Sequence, residues 1–107
     1  MKLYGLKTCD TCRKALKALS GAGQDVEFVD VRQTPLSEDQ ISHFLDVLGP
    51  ALLNTRSTTW RTLSEAERSA DPKVLLMAHP ALMKRPVIEA DALYLGWNGT
   101  VQNALLG

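Results

Sequence analysis

Apolar residues in this chain fall into short runs and helical stripes. The opening run "MKLYGL", with Leu3 and Tyr4, predicts a brief buried strand. In "KTCDTCRKALKALSGAG" the residues Cys12, Ala15, Leu16 and Leu19 recur at i, i+3, i+4 and i+7, one face of a helix. Gly21 and Gly23 supply its stop. "DVEFVDV", residues 25–31, is rich in valine with an aromatic, and predicts a second strand. A helix joins the two strands, so they should pair in parallel through a right-handed crossover.

The middle of the chain reads as all helical. In "PLSEDQISHFLDVLG" Ser37 and Gln40 form a capping box, and Leu36 and Ile41 stand where a hydrophobic staple needs them. Ile41, Phe44, Leu45 and Leu48 make its apolar face, and Gly49 suits the C′ position. Ser64 with Glu67 predicts a second capping box and a short polar helix. Asp71 and Pro72 read as N-cap and N1 of "KVLLMAH", which a turn at His79-Pro80 ends. Val87-Ile88 and Leu93–Leu95, split by a polar turn, predict a hairpin. A last helix over 99–106 would turn Val101, Ala104 and Leu105 to one side. The expected class is α/β in the order β-α-β, helical insertion at about 36–79, then β-β-α. No repeat, low-complexity tract or linker divides it, so 1–107 is expected to form a single domain.

Composition narrows the function classes. With 12 basic and 12 acidic residues the formal charge is zero, which gives no general attraction to nucleic acid or to a membrane surface. The start of the chain lacks the order of a secretory signal, and no apolar run could span a bilayer. The expectation is a cytoplasmic protein with no direct nucleic-acid or membrane partner. In a reducing compartment Cys-x-x-Cys points to catalysis, sensing or metal binding, because structural disulfides are rare there.

Both cysteines lie in "KTCDTCRKAL". Cys9 precedes the first helix, where unpaired amides and the positive end of the macrodipole favour a thiolate. Lys7, Arg13 and Lys14 are close in sequence and add positive charge. A cysteine so placed can drop from about 8.5 into roughly 3.5–7.5. Cys12 shares the core stripe, so it should be more buried and less acidic. The pair divides into an exposed attacking thiol and a shielded candidate for resolving it, unless both cysteines merely pack. A zinc site would have to recruit His43 and His79, whose spacing matches no finger or ribbon, so no metal is expected. Trp60 and Trp97 read as core or rim packing.

The segments "LYGLKTCDTCRKAL", "ALLNTRSTTWRTL" and "HPALMKRPVI", in that order, resemble the arsenate-reductase (ArsC)-like family of thioredoxin-fold proteins. The wording "NTRSTTWR" and the length are closest to YffB-type members, which are related to the Spx/MgsR regulators. The resemblance implies a thioredoxin-like fold with Cys9 as nucleophile, Arg85 facing it, and a cis bond at Pro86. Read without the family, Arg85 and Arg56 would be ordinary surface charges. It also places Arg56, or in an alternative alignment Asn54, in the region that supplies a second pocket arginine. Thr8, Arg13 and Pro86 complete the expected substrate-binding set.

By the same resemblance the expected activity is that of a small thiol oxidoreductase. Cys9 and Cys12 would be its catalytic thiols, with no tightly bound cofactor. Glutathione would be co-substrate, and a small thiol or an oxyanion the substrate. Glutaredoxin and the RNA polymerase α subunit are the macromolecular partners the family would bring. Alternatives are an Spx-like, polymerase-binding redox regulator and an arsenate reductase. Arsenate reducers of this type have a third arginine after the second hairpin strand, where this chain reads "LGWNG".

Overall fold

The structure is a computed structural model that describes residues 1–106. Its contacts group into two compact units, one made of Met1–Thr34 with the segment from Arg85 onward, the other of Pro35–Lys84.

The first unit is built on a four-stranded sheet of order β2-β1-β3-β4. Its strands are β1 (Lys2–Gly5), β2 (Glu27–Asp30), β3 (Val87–Glu89) and β4 (Leu93–Leu95). β1 runs parallel to β2, as a helical connection requires, and antiparallel to β3, which pairs with β4 as the expected hairpin. β2 is shorter than the run that predicts it, spanning Glu27–Asp30. Two helices complete the unit, α1 (Asp10–Gly21) and α6 (Gly99–Leu106). Leu3 pairs with Phe28 on one side and Ile88 on the other, which puts all three on one face. Onto Leu3 and Ile88 pack Cys12, Ala15 and Leu19 of α1 with Val101 and Leu105 of α6. The α1 stripe read from the sequence is therefore the buried one, with Leu16 at its margin. Gly21 proves to be the last helical residue, and Gly23, at φ 85°, makes the turn that follows. In α6 Ala104 is exposed, contrary to expectation, because the short helix presents only Val101 and Leu105 to the core.

The second unit holds α2 (Glu38–Leu48), α3 (Thr58–Thr62), α4 (Glu65–Arg68) and α5 (Pro72–Ala78). Both predicted capping boxes form, Ser37 with Gln40 on α2 and Ser64 with Glu67 on α4. Asp71 caps α5 by accepting from Lys73 N–H, with Pro72 behind it. Gly49 ends α2 at φ 70°, a conformation that glycine adopts without penalty. Ile41 and Phe44 are buried, while Leu45 and Leu48 are partly covered. Three elements were not predicted individually: 3₁₀ turns at Gly49–Leu52 and Pro80–Leu82, and α3, whose N-cap Ser57 accepts from Trp60 N–H. No helix of the described residues is long and apolar enough to cross a membrane. The β-α-β and β-β-α halves of a thioredoxin-like fold are both present, and the helical segment lies between them in sequence.

Candidate active site

The nucleophile candidate stands at the junction of β1 and α1. Cys9 N–H donates to Leu6 O at 3.0 Å and closes the loop after β1, while its own carbonyl accepts from Arg13 N–H at 3.0 Å and opens the helix. Cys9 is the N-cap of α1, with extended φ −84° and ψ 118°. Its sulfur thus holds the place that a serine hydroxyl holds at the start of α2 and α4.

Asp30, at the end of β2, ties this loop down. One carboxylate oxygen accepts from Lys7 N–H at 3.1 Å. The other accepts from Arg32 N–H at 2.9 Å and Gln33 N–H at 3.2 Å. Lys7 Nζ reaches Gln33 Oε1 at 3.2 Å, and Val31 N–H bonds Gly5 O at 3.0 Å. Asp30 is not among the residues expected at the site from the sequence. Its signal is an Asp closing a strand just before an irregular stretch, the setting for bonds to backbone amides two and three residues on.

Cys12 is wholly buried, whereas Cys9 is half-exposed. Gly5 lies on the α1 face of β1, and a Cβ there would run into the Cys12 sulfur and meet Cys12 Cβ at 3.2 Å. The missing side chain of Gly5 is what lets the first turn of α1 lie against the sheet. Arg85 precedes β3, with Pro86 buried behind it and a cis Arg85–Pro86 bond, the geometry the resemblance implies.

Electrostatics separate the two thiols. Burial works against a charge on Cys9. Opposing it are the Cys12 N–H, the Cys12 thiol, and the hydrogen bond and positive charge of Arg85, and together these hold Cys9 below the ordinary cysteine range. Burial dominates at Cys12, and together with the neighbouring Cys9 sulfur it pushes that thiol up to about 12. The two environments therefore push the sulfurs apart, Cys9 toward the thiolate and Cys12 toward the thiol.

The remaining candidates divide between the units. Thr8 is exposed in the loop before Cys9, and Arg13, also exposed, pairs with Asp10 in the first turn of α1. Arg56 and Asn54 belong to the second unit. There Arg56 is exposed, and the Asn54 side chain accepts from Arg56 N–H at 3.1 Å, a local Asx turn. Among the described residues no group of three or more His, Cys, Asp or Glu is placed to hold a metal ion. Trp60 lies under the Arg68 guanidinium at 5.6 Å, and Trp97 packs against the core of the first unit. "LGWNG" is the approach to α6: Gly96 turns at φ 83°, and Asn98 Oδ1 accepts from Val101 N–H at 3.0 Å. This segment, expected to carry an arginine in arsenate reducers, instead forms the cap of α6.

The sequence model of the ArsC family matches residues 4–103. A solved YffB protein superposes with TM-score 0.89 at 28% identity, over 99% of this chain and 98% of that one. An arsenate reductase (ArsC) related protein from Brucella melitensis gives TM-score 0.74 at 36% identity, over 96% of this chain and 91% of that one. The global transcriptional regulator Spx of Bacillus subtilis is 30% identical over 105 residues, 90% of this chain and 79% of Spx.

Proposed function

The chain belongs to the ArsC family, and from that premise we propose that it is a thiol-dependent reductase with Cys9 as nucleophile and glutathione as co-substrate. The observation that carries this function is the state of Cys9: half-exposed, at the N-cap of α1, and held toward its thiolate by Cys12 and Arg85. A thiolate is the attacking form of cysteine, and its environment determines how much is present at neutral pH. Cys9 attacks the sulfur of a disulfide, forms a mixed disulfide and expels the other sulfur as a thiolate. Arg85 and the amides opening α1 hold the anionic end of the incoming molecule. The two carboxylates of glutathione suit such a site. Thr8 and Arg13, exposed beside Cys9, line the approach, whereas a role for Arg56 rests on the family pattern alone.

The test is turnover of a small mixed disulfide with glutathione. Cys9→Ser should abolish transfer, and transfer unchanged by Cys9→Ser would refute the assignment. A second function, an RNA-polymerase-binding redox regulator, is favoured by the likeness to Spx. Capture of the polymerase α subunit by the reduced or oxidised protein would support it, and no binding in either state would exclude it. Arsenate reduction is disfavoured by the lack of an arginine in "LGWNG", and an arsenate turnover assay with glutaredoxin as reductant decides it.

A further inference from the structure

We propose that the groove between α5 and the start of α2 docks a cationic amphipathic segment of a partner protein. An apolar side chain of that segment would seat on Val74 and Met77, with its lysine or arginine against the carboxylates of the rim. The surface lies in the unit 35–84 and uses no residue of the Cys9 site, so it stands apart from thiol transfer.

The outer side of α5 is apolar where solvent calls for polar residues. Leu75 and Leu76 fill its buried side. A helix lying on a core in this way ordinarily turns charged or polar residues outward. Here Val74, Met77 and Ala78 follow at i, i+3 and i+4 and are all exposed. Val74 is 57% exposed and Met77 47%, and both line one open groove with Ala78, Glu38, Asp71 and Lys73. Single apolar residues scattered over a surface are ordinary, but these share one concave place. The groove holds about 610 Å³, within the size of clefts that take a ligand. Met77, unbranched and polarisable, adapts to whatever side chain enters.

The rim decides what fits. Lys73 Nζ stands 2.6 Å from Glu38 Oε1, an ion pair that joins the starts of the two helices and cancels the lysine charge. Asp39 and Asp71 also act on the Lys73 ammonium, and Asp71 caps α5 through the Lys73 N–H. Three carboxylates against one ammonium leave a local excess of negative charge beside the apolar floor. The chain as a whole carries no net charge, so the field belongs to this place. A cationic segment meets it with the opposite sign. A second copy of the chain would set the same acidic rim against this one, and like charges disfavour that pairing. An apolar anchor in a groove with charges at its edge is a recurring way of binding an amphipathic segment.

The test uses the whole chain and short end-blocked synthetic peptides. One is built of leucine and lysine, one has glutamate for lysine, and one has serine for leucine. Amide shifts in nuclear magnetic resonance show where each binds, and fluorescence anisotropy shows how tightly. The leucine–lysine peptide should shift the amides of Glu38, Val74, Met77 and Ala78, and its binding should weaken as salt rises. Met77→Ser should weaken it by about tenfold. Asp39→Asn, also at an exposed position, should weaken it by about two- to threefold. Thiol transfer should match the parent in both variants, and their other amide signals should show the fold intact. Shifts absent from the groove, or equal binding by the glutamate peptide, overturn the proposal. Equal binding by the serine peptide overturns the apolar anchor. Groove shifts that grow with protein concentration without peptide, and vanish in Met77→Ser, assign the surface to a second copy and overturn the cationic occupant.

Discussion

At the scale of single residues, two thiols of the same helix turn are driven in opposite directions, Cys12 upward by its burial and Cys9 downward by the hydrogen bonds and charge around it. Cys9 is held below its ordinary range although burial opposes it, so removing Arg85 should let it rise. Arg85→Ala is expected to raise the Cys9 midpoint by about one pH unit or more and to slow alkylation near neutrality. Arg85→Lys should keep part of the effect, because the charge stays while the planar fork is lost. Alkylation rates against pH for the three proteins check this, and three superimposable profiles would contradict it. The asymmetry of the pair was legible in the sequence because helical phase put Cys12 on the Ala15–Leu19 stripe, while Cys9 lies before the helix begins. Arg85 was legible only through family likeness, since nothing in "MKRPVI" alone distinguishes it from a surface arginine.

At the scale of elements, the contact between β1 and α1 depends on a missing side chain. Gly5→Ala would push a methyl group into the Cys12 sulfur, and overpacking of this kind costs about 1–3 kcal/mol. Combining Gly5→Ala with Cys12→Ala should recover part of that loss, because the colliding atom is gone. Urea denaturation of the two single variants and the double checks the coupling, and strictly additive losses would contradict it. Ser37→Ala should cost about 1 kcal/mol by removing the cap of α2, seen in the same denaturation experiment. The caps of α2, α4 and α5 were legible because each is a local pattern of two or three residues. α3 was not assigned individually, because its one start signal, Ser57, stands among threonines with no apolar stripe behind it. Ala104 was misassigned because a short helix against a sheet buries a narrower face than its period allows.

At the scale of the whole molecule, the chain builds the unit that holds Cys9 from two separated segments. Cys9 arrives from the first and Arg85 from the second, while 35–84 form the other unit. Asp30 ties the loop before Cys9 to β2, and this gives stability a dependence on acid. Its carboxyl is held below the ordinary aspartate range chiefly by the Lys7 amide, with help from the Arg32 and Gln33 amides. That contribution is complete above the ordinary aspartate range and is lost as pH falls through the depressed value. Asp30→Asn, which keeps an acceptor but cannot ionise, should flatten the acid limb of Tm against pH, and an unchanged limb would contradict this. The β-α-β and β-β-α order could be read from apolar runs and turn residues. The bond from Lys7 to Asp30 could not, because it joins residues far apart in the chain. The central claim is that Cys9 alone is the working thiolate. Its most direct test is the pH dependence of alkylation in the native parent protein, with mass spectrometry identifying the modified residue. The account predicts modification of Cys9 alone, with a midpoint below the value of about 8.5 for free cysteine. A Cys9 midpoint at or above that value, or earlier modification of Cys12, would contradict it.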